Sequence, residues 1–337
     1  MGALRDRLER MAERLWYGKR GLGFALCVPL LGPWTLITSI MSRRRAARRA
    51  PWTEAASRSA PVPVISVGNL AVGGTGKTQV VLMLARRAIA SGRRVAIVTR
   101  GYGGVEKGPL SVPARGDAAS FGDEPILLRR RLSEALVILA RDRAAGVALA
   151  ATKGCDLVFL DDGFQQTAVM PTRQVVVFGA ESPLGNGALL PLGPLRDPVG
   201  SLRPDDLIWL HGEGNGDVLT RIDVRSRTVP LAAEHWTGRR IFAFAGIARP
   251  ERFFRTLSEA GAIIVGSSRF SDHRRFSRRD LEELCARAAA LGAAAIVCTE
   301  KDQVRLPDGE LKLPILTLET RLEIVEGESA VDRLLSL

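Results

Sequence analysis

One 17-residue segment, VPVISVGNLAVGGTGKT (62–78), constrains the chain more than any other. Its β-branched start is typical of a buried parallel strand. The glycines that follow let the backbone fold tightly, so that successive N–H groups converge on phosphate oxygens. In such a loop Lys77 reaches the β- and γ-phosphates, the Thr78 hydroxyl ligates Mg²⁺, and the helix predicted at 79–90 favours the same anion. Strand, loop and helix come in the required order, although Ala71 stands where the strict pattern has its first glycine.

We therefore predict a nucleoside triphosphate site rather than a chance glycine-rich turn. Its residues are Val72, Gly73, Gly74, Thr75, Gly76, Lys77 and Thr78.

A second phosphate-site signature lies downstream, where the apolar run LVFL (157–160) ends in Asp161 and Asp162. Many strands end in aspartate only because it suits a turn. After a phosphate-binding loop, however, carboxylates at a strand end are placed to hold Mg²⁺ directly or through water. The sequence thus predicts Mg²⁺ together with the nucleotide.

Two further segments carry candidate residues, each with an alternative interpretation. Asp123, in GDEP (122–125), either caps the following helix or accepts a proton from an attacking hydroxyl. Arg196, in GNGALLPLGPLRD (185–197), either stabilises a transferring phosphoryl group or pairs with Asp197. The RGYGG loop at 100–104 suits the close approach of a substrate, or is simply flexible.

Short apolar runs alternate with helical segments along most of the chain, which predicts an α/β fold with a mostly parallel sheet and helices on both faces. The predicted strands cover 62–67, 95–99, 135–140, 157–160, 174–178, 207–210, 241–245, 262–267 and 295–298. The pattern loosens around 212–240. We therefore divide the chain into an N-terminal membrane anchor (1–55), a P-loop core (56–234) and a smaller C-terminal α/β domain (235–337) that closes over the active site.

The N-terminal region holds much of the basic charge: residues 1–60 contain 12 Lys/Arg and four Asp/Glu, in a chain of net charge +12. A nucleic-acid-binding protein usually carries such charge on its folded module, so no nucleic-acid partner is predicted. Instead the charge brackets GLGFALCVPLLGPWTLITSIM (21–41), which is long enough to span a bilayer. Leu4, Leu8, Met11 and Leu15 form a helical stripe before it. A signal peptide and a buried core helix are the alternatives.

Cysteine and histidine usage gives no support for a zinc-type site. The four cysteines are scattered without C-x-x-C spacing, and there are only three histidines. Three of the cysteines stand in apolar surroundings, which indicates reduced core residues of a cytosolic fold.

In this order, the motifs resemble the tetraacyldisaccharide 4′-kinase family, the lipid A 4′-kinases of Gram-negative envelope synthesis. The resemblance covers essentially the whole chain. It is carried by SVGNLAVGGTGKT, RGYGG, GDEP, LDDGFQ, GNGALLPLGPLRD, PERFF, SDH and TEKD. Gln166 stands where the family usually has histidine, and Asp197 replaces the more usual glutamate.

The resemblance implies transfer of the ATP γ-phosphate to the 4′-hydroxyl of an acylated glucosamine disaccharide 1-phosphate, at the cytoplasmic face of the inner membrane. It makes Asp123 the general base, with His273 paired to it from the C-terminal domain. Lys77 and Arg196 complete the catalytic set. The implied metal set is Thr78, Glu124, Asp161 and Asp162. The partners are then the lipid substrate and the anionic membrane surface, with no obligate protein partner.

An alternative function is a membrane-associated P-loop ATPase or GTPase that hydrolyses nucleotide for a membrane partner. Such a hydrolase needs a positioned water, whereas a kinase needs a base that faces an acceptor hydroxyl. Asp123 with His273 favours the kinase. A third possibility is a basic membrane-binding protein that holds nucleotide without catalysis. Such a protein would not need the full set of Lys77, Thr78, Asp161 and Asp162.

Overall fold

The computed structural model describes residues 11–18, 22–49 and 60–337. Leu4 and Leu8 of the predicted amphipathic stripe, and the predicted domain boundary at residue 55, therefore lie outside the described residues. Residues 11–17 are helical, and a long helix, α1, runs over Leu22–Arg49 and through Pro29 and Pro33.

Thirteen strands follow among the described residues, and they form two sheets. They are β1 (Val64–Gly68), β2 (Val95–Thr99), β3 (Leu110–Ser111), β4 (Leu136–Leu139), β5 (Leu157–Asp161), β6 (Arg173–Gly179), β7 (Leu207–His211), β8 (Val224–Pro230), β9 (Arg240–Ala245), β10 (Ile263–Arg269), β11 (Ala295–Thr299), β12 (Ile315–Leu318) and β13 (Thr320–Glu326).

The helices after α1 lie between or after these strands. They are α2 (Lys77–Ala90), α3 (Ala118–Phe121), α4 (Asp123–Arg131), α5 (Arg143–Thr152), α6 (Pro250–Glu259), α7 (Arg278–Ala290), α8 (Glu300–Gln303) and α9 (Glu328–Leu335).

The larger sheet has the order β13-β8-β7-β6-β1-β5-β2-β4-β3, parallel except at its two edges. Successive residues of its central strands face opposite sides. Ile65 and Val67 pack toward α2, α4 and α9, whereas Val64 lies in the cluster on the α5 side. Burying each such side chain is worth about 1.5–3 kcal/mol, which explains why the β-branched runs form the sheet centre. The predicted fold class, with helices on both faces, is confirmed.

The smaller sheet has the order β10-β9-β11-β12 and is parallel throughout. Helix α6 covers one face through Phe253 and Leu257, and α7 covers the other through Leu281 and Leu284. Cys155, Cys285 and Cys298 are buried and free, as their apolar surroundings predict.

The chain returns to the larger sheet after completing the smaller one. Strand β13 pairs antiparallel with β8, and Val331 and Leu334 of α9 join the core beside α2. The predicted C-terminal unit, residues 235–337, therefore includes a final segment that packs with the larger sheet. The division near residue 235 otherwise stays a prediction.

Helix α1 is long and apolar enough to cross a membrane, by length and composition, over Phe24–Arg48. None of its most apolar window is buried, unlike a core helix of a soluble protein. Leu26, Leu30 and Trp34 are among its largely exposed apolar side chains.

Candidate functional site

The phosphate-binding loop connects β1 to α2 at the carboxyl edge of the larger sheet. Gly73 and Gly76 have φ of 113° and 91°, a region that non-glycine residues rarely adopt. The loop is braced from inside by Asn69, whose Nδ2 donates to the Ala71 carbonyl (2.5 Å) and to Thr75 Oγ1 (3.2 Å). Helix α2 begins at Lys77, so its N-terminal N–H groups point into the loop, an arrangement that suits an anion such as phosphate.

Gly76 is also restricted by a histidine that the sequence analysis did not single out. A Cβ at this position would lie 2.3 Å from Cδ2 of the buried His211, on β7. The two ring nitrogens of His211 bond the hydroxyls of Ser226 (2.9 Å) and Thr228 (3.0 Å). Burial and the nearby Arg252 lower the pKa of His211 to about 4, so its ring is neutral at pH 7.

Asp161 ends β5, the strand adjacent to β1, and Asp162 follows it; Val67 of β1 is in register with Asp161. Lys77 Nζ lies 3.4 Å from Asp162 Oδ1, and Arg196 Nη1 lies 3.0 Å from Asp162 Oδ2. Burial by itself raises the pKa of Asp162, but the two cations outweigh it and hold that pKa well below its usual range. The structure thus brings together three residues that the sequence analysis assigned to the nucleotide site.

Asp161 has a different environment, although it is the next residue. Its side chain is buried, Thr99 Oγ1 is 3.4 Å from Oδ2, and Oδ1 has no hydrogen-bond partner in the described part of the chain. Burial, with the negative charges of Glu124 and Asp162, raises the pKa of Asp161 to about 7. A buried carboxylate oxygen without a partner is a group that a bound cation would satisfy.

The predicted metal residues do not form a complete cage. In the residues that the structure describes, no group of three or more His, Cys, Asp or Glu side chains is arranged to hold a metal ion. Glu124 instead lies 3.5 Å from Lys301 Nζ, and Asp162 is engaged by Lys77 and Arg196. Mg²⁺ is commonly held by one or two carboxylates together with phosphates and water, so this arrangement still suits it.

Asp123 and His273 are brought together from the two sheet units. His273 Nδ1 lies 2.9 Å from Asp123 Oδ2, and the side chain of Asp123 is mostly buried at the start of α4. His273 has φ of 60°, so a strained backbone holds its ring in place. The Tyr102 ring, from the RGYGG loop, lies 5.2 Å from the His273 ring between centroids.

Arg305 is a second partner of this carboxylate, and it was not predicted from the sequence. Its Nε is 3.5 Å from Asp123 Oδ2, and its Nη2 bonds Asp302 Oδ1 (2.6 Å) and the Gly246 carbonyl (3.0 Å). The Arg305 side chain is only 1% exposed. Within the described residues the contacts from His273 and Arg305 are both to Oδ2, so Oδ1 is the oxygen of Asp123 that remains available to an incoming hydroxyl. The TEKD motif (299–302) ends three residues before Arg305, and its match did not indicate the arginine itself.

Gln166, where the resemblance leads one to expect histidine, stays within its own turn. Its Oε1 accepts from the N–H groups of Ala168 (2.9 Å) and Val169 (2.8 Å), and its Nε2 donates to the Val169 carbonyl (2.5 Å). Gln166 therefore stabilises the turn at residues 166–169. The neighbouring Gln165 points to the site, with Oε1 3.3 Å from Arg196 Nη1.

Comparisons with known proteins agree on one family. The model of the tetraacyldisaccharide-1-P 4′-kinase family matches residues 28–337. The chain is 42% identical over 334 residues to the tetraacyldisaccharide 4′-kinase of Rhodospirillum centenum, covering 96% of each chain. It is 40% identical to the enzyme of the same name from Anaeromyxobacter sp., covering 94% of each. Among solved structures, LpxK from Aquifex aeolicus in complex with ATP matches with a TM-score of 0.69 at 24% identity, over 93% of this chain and 98% of that one.

Proposed function

Since the chain belongs to the tetraacyldisaccharide-1-P 4′-kinase family of lipid A biosynthesis, we propose how its residues carry out this kinase reaction. The donor is ATP, held by the loop from Val72 to Thr78. The acceptor is the 4′-hydroxyl of a tetraacylated glucosamine disaccharide 1-phosphate, and the product is lipid IVA. The ATPase or GTPase alternative is not favoured, because the relatives are named as kinases.

The observation that carries this assignment is the position of Asp123. It lies in the unit that contains the phosphate-binding loop, yet His273 and Arg305 hold its Oδ2 from the other unit. A carboxylate fixed in this way can accept a proton through Oδ1 from a hydroxyl that enters between the units. A hydrolase would have no need for a base that faces a bulky acceptor.

The chemical step follows from these positions. The acceptor oxygen attacks the γ-phosphorus, its proton passes to Asp123, and the bond between the γ-phosphorus and the β,γ-bridging oxygen breaks to release ADP. Lys77 contacts the β- and γ-phosphates, and Arg196 stabilises charge on the group in transfer. Both cations contact Asp162, which keeps them close to the loop.

The residues present fit a bound Mg²⁺ ion. They offer hard oxygen donors, namely Thr78, Asp161 and Asp162 with Glu124 nearby, and Asp161 Oδ1 is a buried oxygen without a partner. When bound, the ion neutralises charge on the β- and γ-phosphate oxygens. In this assignment the aspartates hold it beside the loop, and burial of Asp161 excludes water from that side.

Helix α1 would place the site at the inner-membrane surface. Its exposed apolar side chains face away from the folded core, and arginines follow them at its C-terminal end. Such a pattern suits a bilayer with anionic headgroups. An enzyme that uses cytosolic ATP and an acylated acceptor would work on the cytoplasmic face.

A transfer assay with radiolabelled ATP and the tetraacyl disaccharide 1-phosphate, dispersed in detergent micelles, tests the assignment. Asp123→Ala should lower kcat by about 10²–10⁴-fold, the range for loss of a general base, with ATP affinity nearly unchanged. His273→Ala should lower kcat less. It should add little to Asp123→Ala, because residues that act as one unit are non-additive.

His235→Ala is the matched control, because His235 is an exposed histidine away from these residues. It should leave kcat unchanged. Fully multiplicative losses in the Asp123/His273 double variant would mean that the two residues act separately. Weaker ATP binding with normal turnover at saturation would place Asp123 in the nucleotide site instead, and another base would be needed.

A further inference from the structure

The N-terminal segment contacts the site directly, through an arginine of α1 to which no role has been given above. Arg45 donates from Nη2 (2.6 Å) and Nε (3.1 Å) to Asp197 Oδ1. The same Nη2 also donates to the main-chain carbonyl of Arg196, at 2.9 Å. The guanidinium of Arg45 therefore binds both Arg196, whose side chain contacts Asp162, and the next residue, Asp197.

The Arg45–Asp197 ion pair is shielded from water. The Asp197 side chain is only 3% exposed and that of Arg45 21% exposed, and the other Asp197 oxygen has no hydrogen-bond partner in the described residues. Charge-assisted hydrogen bonds with little exposure are stronger and more directional than surface ion pairs. The Arg45–Asp197 contact is therefore expected to fix the position of both side chains. The exposed i,i+4 ion pairs of α7, such as Arg278–Glu282, are not expected to do so.

Arg45 completes a clamp on the backbone of Arg196. The N–H of Arg196 donates to the Leu70 carbonyl, in the loop after β1, at 2.7 Å. Its C=O accepts from Arg45 of α1. With both backbone groups held, the direction of the Arg196 side chain is restricted, and that side chain ends on Asp162.

We propose that Arg45 is a positioning residue for phosphoryl transfer, which couples the seating of α1 to the orientation of Arg196. The proposal rests on the role of Arg196 given under Proposed function. Two contacts from residues 11–18 reinforce the same junction. Tyr17 Oη donates to the Val72 carbonyl (3.3 Å), and Trp16 Nε1 donates to the Pro191 carbonyl (2.9 Å).

Membrane contact and loop contact are made by different side chains of α1, so they can be separated by experiment. The exposed apolar residues, such as Leu30 and Trp34, precede the basic end of the helix. At that end Arg44 is exposed, whereas Arg45 is turned toward the loop. Arg44→Ala removes the same charge from the same turn without removing the contact, and it is the matched control.

The test measures kcat and KM of Arg45→Ala, Arg45→Lys and Arg44→Ala with the micellar acceptor, and sedimentation of each variant with vesicles containing anionic lipid. Arg45→Ala should lower kcat about 10- to 100-fold, the scale expected when a catalytic group is misplaced by about 1 Å. Its KM for ATP and its sedimentation should match those of Arg44→Ala. Arg45→Lys, which keeps one donor, should recover part of the loss.

Coupling to Arg196 is tested by the double variant. Once Arg196→Ala is present, Arg45→Ala should lower kcat by less than about twofold, since its effect acts through that side chain. A full multiplicative loss would overturn the proposal. So would a normal kcat in Arg45→Ala, or a loss of activity that only accompanies a loss of vesicle binding.

Arg45→Ala leaves a buried carboxylate unpaired and can destabilise the protein for that reason alone. The variant Arg45→Met/Asp197→Asn removes both charges, and it decides the matter if the single variant does not fold. It should retain the wild-type melting temperature and still lose kcat, because the Arg196 carbonyl has lost its donor. Normal kcat in this variant would overturn the proposal. If the wild type and Arg44→Ala also transfer no phosphate, the failure lies with the proposed function instead.

Discussion

Replacing Asp161 with asparagine should stabilise the ligand-free protein while nearly abolishing phosphoryl transfer. In the wild type this carboxylate is buried, it lacks a partner for Oδ1, and it lies in the field of Glu124 and Asp162. Each of these features penalises the charged form. The amide keeps the shape and removes the charge. The proposed ligation of Mg²⁺ is lost with the charge, and transfer should therefore fail.

The magnitude follows from the pKa of Asp161, which rises from 3.8 to about 7 on folding. Because the folded state holds the proton more tightly, it is favoured at low pH, and this contribution is lost as pH rises from about 4 through 7. At 1.36 kcal/mol for each unit, the loss is about 4 kcal/mol. Asp161→Asn should therefore increase the free energy of unfolding by about 4 kcal/mol at pH 8, but by only about 2 kcal/mol at pH 5.

Urea unfolding followed by circular dichroism, with EDTA present, measures this at both pH values. Asp162→Asn is the matched control and should change stability in the opposite direction, because Lys77 and Arg196 favour the charged form of Asp162. In a parallel series without EDTA, adding MgATP should stabilise the wild type but not Asp161→Asn. A variant that is no more stable than the wild type at pH 8, or whose gain is the same at both pH values, would refute the reasoning.

Two further predictions concern other parts of the molecule. The pKa of His211 falls to about 4, so its contribution to stability is complete above about pH 6.5 and is lost as pH drops toward 4, by up to about 3 kcal/mol. His211→Gln should unfold in urea with a shallower acid dependence, and an unchanged pH profile would contradict this. Deleting residues 1–55 should release the protein from vesicles and leave a core that binds ATP but transfers phosphate poorly, because Arg45 is removed. Sedimentation of the truncated protein with vesicles would show that another anchor exists.

The centre of the larger sheet could be predicted from sequence because its strands are buried on both faces. Runs such as 95–99 and 157–160 contain no charged residue, so even their boundaries agree with the structure to within a residue. The same holds for 241–245 and 295–298 in the smaller sheet. Complete burial selects β-branched and apolar residues continuously, and a continuous run is visible in one sequence.

The edge of the larger sheet was missed for the opposite reason. Strands β8 (VRSRTVP) and β13 (TRLEIVE) are partly exposed, and charged residues interrupt both of them. They lie within or after segments where the pattern loosens, and they pair across almost 100 residues. Half-buried antiparallel strands need a partner to be recognised, and no local signal in either strand names the other.

In the candidate site, too, the residues within local motifs could be predicted and those that depend on long-range contacts could not. Lys77, Asp161 and Asp162 belong to local motifs. Asp123 was a candidate from GDEP with two interpretations open, whereas its role as the base and its pairing with His273 came from the resemblance. The structure places Lys77 beside Asp162 and His273 beside Asp123, while their roles remain predictions. Arg45 and Arg305 could not be found in this way. Each acts across more than 150 residues of sequence, and an arginine in an arginine-rich chain carries no distinguishing local pattern.

Backbone conformation gives an independent argument that these residues form a functional site. Among the described residues, three that are not glycine have positive φ: Asp162, His273 and Ala232. Such conformations cost about 1 kcal/mol or more each, and they persist where the surrounding structure enforces them. Two of the three lie in the site: Asp162 contacts Lys77 and Arg196, and His273 contacts Asp123. The fold thus holds both residues in a backbone conformation that is locally unfavourable. This is expected if their positions are needed for phosphoryl transfer and not for the stability of the fold.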